Sequence, residues 1–193
     1  MNIINLWENF QMSLYTLPWE QDIKSHLKSR HVDLSLHRVY IDEIEYCATF
    51  PLWNLSGQMV GYQTYRPDSD KVQKNSPRLG RYYTHRNKEA IGVWGLESWY
   101  LSNVLFVTEG IFDAARLTYY GVSAIAALSY DPNKSTREWM YEVRSNRFVV
   151  TVCDAGRSGN KLKKLGHDFF QFEDGDLGDA SDETVKKILK LFC

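Results

Sequence analysis

Three cysteines, Cys47, Cys153 and Cys193, are too few, too far apart and odd in number for a disulfide framework, and none stands in a CxxC pair. That usage implies a reducing compartment. No apolar run approaches the roughly 18 residues a membrane span requires, and the stretch MNIINLWENF at the start lacks the basic-then-apolar order of a signal peptide. A soluble, cytoplasmic protein that is not exported and has no membrane partner is expected. The five histidines, His26, His31, His37, His85 and His167, lack ligand spacing, and no Lys-Ser or Lys-Thr pair follows Ser158 in P-loop spacing. The histidines are therefore assigned no catalytic role, and ATPase activity is not indicated. Internal repeats and low-complexity segments are also lacking.

Net charge is −1, so bulk charge points to no nucleic acid, membrane or acidic ligand, but the charges are unevenly placed. Residues 61–90 carry seven basic side chains against three acidic ones, whereas residues 171–183 carry six acidic and no basic ones. A basic middle and an acidic tail are therefore separated along one chain. The chain is long enough for one sizeable core or for two small units sharing an interface.

Ile23 and Leu27, with Pro18 near the start, predict a short helix within 17–30, and a second helix is expected around 34–40. From 46 onward the texture is of short strands: YCATFPLW, a turn at Leu55-Ser56-Gly57, then QMVGYQTYR. Residues 67–80, rich in turn formers and charge, predict a mobile loop before a strand at 81–85. The rest alternates. Strands at 104–107, 122–128 and 148–152 enclose helices at 112–120 and 135–145, the pattern of parallel βαβ units buried on both faces.

In such sheets, sites form beyond the carboxyl ends of the strands, where Glu109 and Asp154 both fall. Asp113 follows Glu109 by one helical turn, and the acidic stretch EDGDLGDASD offers Asp179 and Asp182 to the same edge. Crowded carboxylates repel one another and either take up protons or bind a cation. Oxygen donors suit Mg²⁺ or Mn²⁺, and the chemistry such a site supports is phosphoryl or nucleotidyl transfer. Asp113 alone is also explained as a helix-dipole partner, and the acidic stretch alone as a solvated loop.

These residues carry a family resemblance. VTEGIFDAA resembles the first signature of Toprim domains, a hydrophobic strand followed by Glu-Gly-x-x-Asp, and VVTVCDAGRSG resembles the second, an Asp-x-Asp followed by Ala-Gly. GDASDE is similar to the Lys-Asp-Ala-Asn-Asp stretch of primase Toprims. Upstream, LKSRHVDLSLHRVY, FPLWNLSGQMVGYQTYRP and PRLGRYYTHRNKEAIGVWGLE resemble segments of the primase RNA polymerase domain. The match spans most of 20–185 and implies a bacterial or phage-type DNA primase catalytic domain, standing alone. The implied fold is α/β: a Toprim domain at 101–193, a Rossmann-like parallel sheet with flanking helices, preceded at 1–100 by a small mixed α+β basic subdomain.

The resemblance implies that Glu109 is the catalytic acid or base, and that Glu109, Asp113, Asp154, Asp179 and Asp182 hold Mg²⁺ or Mn²⁺. It assigns single-stranded template to Arg66, Lys71, Arg78, Arg81 and Arg86, interleaved with tyrosines of which at least half are expected to be structural. Ribonucleotides are the implied substrates. A separate helicase or zinc-binding replication protein is the implied partner. In one respect the chain departs from the family: the second signature has one aspartate where two are expected, through substitution at Gly156 or through deletion. A Toprim nuclease and a non-catalytic single-strand or replisome-binding module are the alternatives.

Overall fold

A computed structural model describes residues 22–87, 89–156 and 161–193. The chain opens with α1 (Ile23–Ser29), where Asp22 caps the helix by accepting from the Ser25 N–H at 2.6 Å and Ile23 and Leu27 are fully buried. Residues 17–21 of the expected helix lie outside the described residues. The second expected helix does not form. Asp33 caps a single turn, its carboxylate accepting from the Ser35 and Leu36 N–H groups and its carbonyl from His37, and the chain then leaves it to pair with β2 as the edge strand β1 (Tyr40–Asp42).

β2 (Cys47–Trp53) and β3 (Met59–Tyr65) form the expected hairpin, and β4 (Tyr82–Arg86) completes an antiparallel sheet of order β1-β2-β3-β4. The hairpin turn is closed by Asn54, whose side chain accepts from Ser56 and Gln58, and by Gly57 at φ +73°. Ala48, Phe50 and Leu52 alternate along β2 with zero exposure and define the sheet's inner face. At Gly61 the neighbouring strand passes so close that a Cβ would stand 2.4 Å from the His85 carbonyl oxygen. Residues 67–80 are turns and one 3₁₀ turn, Pro77–Leu79, closed at the base by Arg66 N–H to the Arg81 carbonyl.

The second sheet is parallel, of order β6-β5-β7-β8, built from β5 (Val104–Thr108), β6 (Ser123–Ala126), β7 (Phe148–Cys153) and β8 (Asp168–Gln171). Leu105, Phe106 and Val107 are all fully enclosed, which accounts for the unbroken apolar run. On one face Phe106 and Val150 pack with α2 (Ile111–Tyr119) and α4 (Asp182–Phe192); on the other, Leu105 and Val107 pack with α3 (Lys134–Asn146). β8 and α4 were not foreseen, because short exposed strands and acidic helix starts leave weak periodicity.

The two sheets share one core. Phe50, Leu52 and Tyr65 of the antiparallel sheet belong to the same cluster as Phe106, Phe112 and Ala126, with Trp94 fully buried among them. Bridges at Trp53–Val93 and Trp94–Ala126 join the connecting segment to each sheet.

Candidate active site at the carboxyl ends of the parallel strands

β5 and β7 are hydrogen-bonded neighbours, with Thr108 opposite Val152, so the turns that follow them bring Glu109 and Asp154 to one edge. Glu109 is half-buried, and its Oε1 is enclosed with no hydrogen-bond partner among the described residues. Burial, reinforced by the charge of Asp154, pushes its carboxyl up to about 7. Asp154 is likewise raised, by burial and then by Asp176, while Lys71 pulls the other way. Asp176 comes from the acidic loop before α4, where its Oδ1 accepts from the Asp179 N–H at 3.0 Å. It is the site carboxylate that sequence reasoning missed, since nothing in the pattern EDGDLGDASD distinguishes it from its acidic neighbours.

Asp113 is almost fully enclosed at the first turn of α2. Its Oδ2 accepts from the Gly110 N–H at 3.1 Å and its Oδ1 from the Gly178 N–H at 2.8 Å. It therefore clamps the acidic loop to the Glu109-Gly110 turn. Burial and then the charges of Asp154 and Asp176 push its carboxyl up to about 8, against the lowering effect of those two N–H groups.

Asp179 and Asp182 have other occupations. Asp179 pairs with Arg30 at 2.6 Å, and the Arg30 guanidinium lies 4.8 Å from the Phe112 ring centre. Asp182 opens α4 and pairs with the buried Arg116 at 2.5 Å; Arg116 also donates to the Ala180 carbonyl and touches the His31 ring. Among the described residues, no three His, Cys, Asp or Glu side chains stand together as a ready cation cage. In the second signature, Gly156 stands at φ +101° and accepts from Gln171 through its carbonyl. Residues 157–160, where the rest of that signature falls, lie outside the described residues.

The basic residues gather on the antiparallel sheet. Arg66 donates to the Arg78 carbonyl and Arg81 to the Ser69 carbonyl, so Arg66, Arg78 and Arg81 form one cluster where β3 ends and β4 begins. Arg86 lies apart, donating to Ala127 just past β6. None of these four, nor Lys71, forms an ion pair among the described residues. Tyr62, Tyr83 and His85 share the face turned away from the core, with Tyr62 and His85 opposite each other at 5.5 Å between ring centres. Tyr65 and Tyr82 turn the other way, toward Phe112, where Tyr65 is buried and Tyr82 stays partly exposed.

The pairing of an antiparallel sheet with a parallel one is a fold shared with solved structures. The chain has the fold of a DNA primase catalytic core. It is similar to the Escherichia coli primase catalytic core at 16% identity and TM-score 0.53, over 90% of this chain and 62% of that one. The RNA polymerase domain of Mycobacterium tuberculosis primase, solved with double-stranded DNA, matches at 14% identity and TM-score 0.56, over 86% of this chain and 63% of that one. The primase fragment of the bacteriophage T7 primase-helicase matches at 13% identity and TM-score 0.53, over 75% and 62%. The chain spans less than two thirds of the length of each. Neither a family model nor a curated protein matches its sequence. Among the described residues no helix is long and apolar enough to cross a membrane.

Proposed function

We propose that the chain is a primase-type nucleotidyltransferase that makes short RNA primers on single-stranded DNA during bacterial or phage replication. The observation that carries this reading is Glu109. Its carboxyl, poised near neutrality with one oxygen unpaired, sits beside Asp154 at the strand ends of a primase-like fold. A group held there suits proton transfer at physiological pH. In primer synthesis the 3′-hydroxyl oxygen of one nucleotide bonds to the α-phosphorus of the next, the bond to the β-phosphate breaks, and pyrophosphate leaves. Glu109 takes the hydroxyl proton or returns one to the leaving group.

The donor set fits a hard divalent cation. Glu109, Asp154 and Asp176 offer only oxygens; burial, and after it the charge of a neighbouring carboxylate, raises Glu109 and Asp154, and positive charge relieves that. Mg²⁺ or Mn²⁺ held by Glu109 and Asp154, with Asp176 drawn in on binding, would neutralise charge on the transferring phosphate. Asp113 holds the loop that presents Asp176. With one aspartate in the second signature where two are expected, cation affinity falls and Mn²⁺ or high Mg²⁺ is needed.

Unpaired Arg66, Arg78 and Arg81, with Lys71 and Arg86, bind the template backbone, and ribonucleotides are the substrates. The division at residues 100 and 101 belongs to the same reading: template on the antiparallel half, chemistry on the Toprim half. A helicase or a zinc-binding replication protein supplies recruitment and template recognition, in the cytoplasm of the bacterium or of a phage's host. The test is to incubate the protein with single-stranded circular DNA, labelled ribonucleotides and Mn²⁺, with Glu109→Gln as control. Short labelled oligonucleotides from the wild type alone are expected. Intact DNA and no product would favour the second reading, a non-catalytic single-strand-binding module, which the single aspartate of the second signature and the lack of a ready cation cage among the described residues support. Degraded DNA would instead indicate a Toprim nuclease.

A further inference from the structure

Four tyrosines stand among the basic residues of the antiparallel sheet, and the fold gives them different surroundings. Tyr65 is buried. Tyr62 and Tyr83 lie on the face turned away from the core. Tyr82 alone of the four combines the inner face with an open surface, since 41% of it is exposed. Register shows where it points. Tyr82, Thr84 and Arg86 pair with Tyr65, Gln63 and Gly61, so all three share the inner face. Arg86 donates to the Ala127 carbonyl, and the Ala127 N–H donates to the Thr108 carbonyl, one residue before Glu109. At the other end of the row the Tyr82 ring stands 6.4 Å from that of Phe112, the neighbour of Asp113. β4 therefore crosses in front of the carboxylate edge, and Tyr82 is the aromatic side chain in the row. Arg81 of the basic cluster directly precedes it.

The ring is held on one side and open on the other. It stacks on Tyr65 at 5.2 Å between centres and 29° between planes, and Phe112 meets it at 65°. Burial, and after it the Tyr65 hydroxyl, pushes the Tyr82 phenol up to about 12, while Arg30 and Arg81 act the other way. The hydroxyl end is thus the enclosed end, the reverse of an ordinary surface tyrosine, and the exposure belongs to the ring. Among the described residues no cation stands over that ring and no third ring meets it. An aromatic face left open beside unpaired arginines is the pattern on which bases of single-stranded nucleic acid stack.

We propose that Tyr82 is the stacking platform for a template base at the point where the strand passes from the basic cluster to the carboxylate edge. This assignment rests on the template reading above and says which side chain carries the base. A flat face takes any base, so Tyr82 holds the strand in position without selecting its sequence. Tyr62 and Tyr83, on the opposite face of the sheet, take no part.

The test is binding of the full chain to oligo(dT) and to an abasic oligonucleotide of equal length, read by fluorescence anisotropy in EDTA so that neither priming nor cleavage enters. The two ligands share a phosphate backbone, so the difference between their affinities reads base contacts. The wild type should prefer oligo(dT), and Tyr82→Ala should shrink that preference by at least about fivefold, the lower end of what one stacked base contributes. Tyr82→Phe and Tyr62→Ala should both keep it. A purely structural role would lower the Tm of Tyr82→Ala and weaken both ligands equally, which would overturn the proposal. So would a preference that Tyr82→Ala leaves unchanged or that Tyr62→Ala removes. Should Tyr82→Ala fail to fold by circular dichroism, photocrosslinking of the wild type to DNA carrying 5-iodouracil decides: a crosslink at Tyr82 supports the platform, and crosslinks only elsewhere refute it. Salt-dependent binding of oligo(dT) with no effect at Tyr82 removes the platform and leaves the template reading, whereas no binding of either oligonucleotide removes both.

Discussion

Asp182→Ala separates a structural carboxylate from a cation ligand. Asp182 opens α4 and reaches back across the molecule to Arg116 at 2.5 Å, whose side chain is 8% exposed while that of Asp182 is 55% exposed. Removing the carboxylate leaves an enclosed guanidinium with the Ala180 carbonyl and the His31 ring. A hydrogen bond to a charged group contributes about 1.5–3 kcal/mol, and the water around Asp182 damps that, so about 1–2 kcal/mol of stability should be lost. For a domain of this size the loss corresponds to a fall in Tm of about 2–8 °C. Thermal melts read that loss, and Mn²⁺ titration of the same protein should show unchanged affinity. In an Arg116→Met background the substitution should cost far less, since the partner is gone. An unchanged Tm combined with Mn²⁺ affinity reduced as in Asp154→Asn would refute the reasoning and return Asp182 to the cation.

The enclosed Asp113 gives a pH signature. Its carboxyl is pushed up from 3.8 to about 8, so between these values the folded chain keeps a proton that the unfolded chain has released, and stability falls as pH rises through that window. Urea midpoints from pH 5 to 9 in EDTA should show this fall, and Asp113→Asn should make it shallower; an equal slope would deny the role of burial. Gly61→Ala puts a Cβ 2.4 Å from the His85 carbonyl oxygen and 2.7 Å from Arg86 Cα. Backbone cannot step aside as a side chain can, so the loss should reach the upper end of the roughly 1–3 kcal/mol of overpacking, read from urea unfolding. Arg81→Ala should lower the slope of log affinity for single-stranded DNA against log salt by about 1, because one phosphate contact is removed. An unchanged slope would take Arg81 off the template path.

Much of the fold was legible without coordinates because it is written in local periodicity. The unbroken run VLFVT and the β-branched run FVVTVC announce strands covered on both faces, and β5 and β7 follow at those positions. Glu109 and Asp154 were visible for a related reason: a carboxylate straight after such a run stands at the strand's carboxyl end, where parallel sheets form sites. The helix expected at 34–40 stops after the one turn that Asp33 caps, because the chain from Tyr40 is drawn into the antiparallel sheet beside β2, a partner no local pattern shows.

The pairing of charges is a different kind of information. Asp176, Asp179 and Asp182 are alike in sequence, each an aspartate in a turn-rich stretch. Only the folded chain sends Asp179 to Arg30 and Asp182 to Arg116 and leaves Asp176 to act on Asp113 and Asp154. The same holds for Arg30 above Phe112 and for His37 facing Glu97, partners far apart along the chain. The sequence by itself determined most of the strands and helices and the two carboxylates at the strand ends, because these follow from residues within one turn or one strand of each other. Which acidic residue joins them was decided by tertiary structure, because the interaction between two charges depends on distance and burial, and no local pattern encodes either.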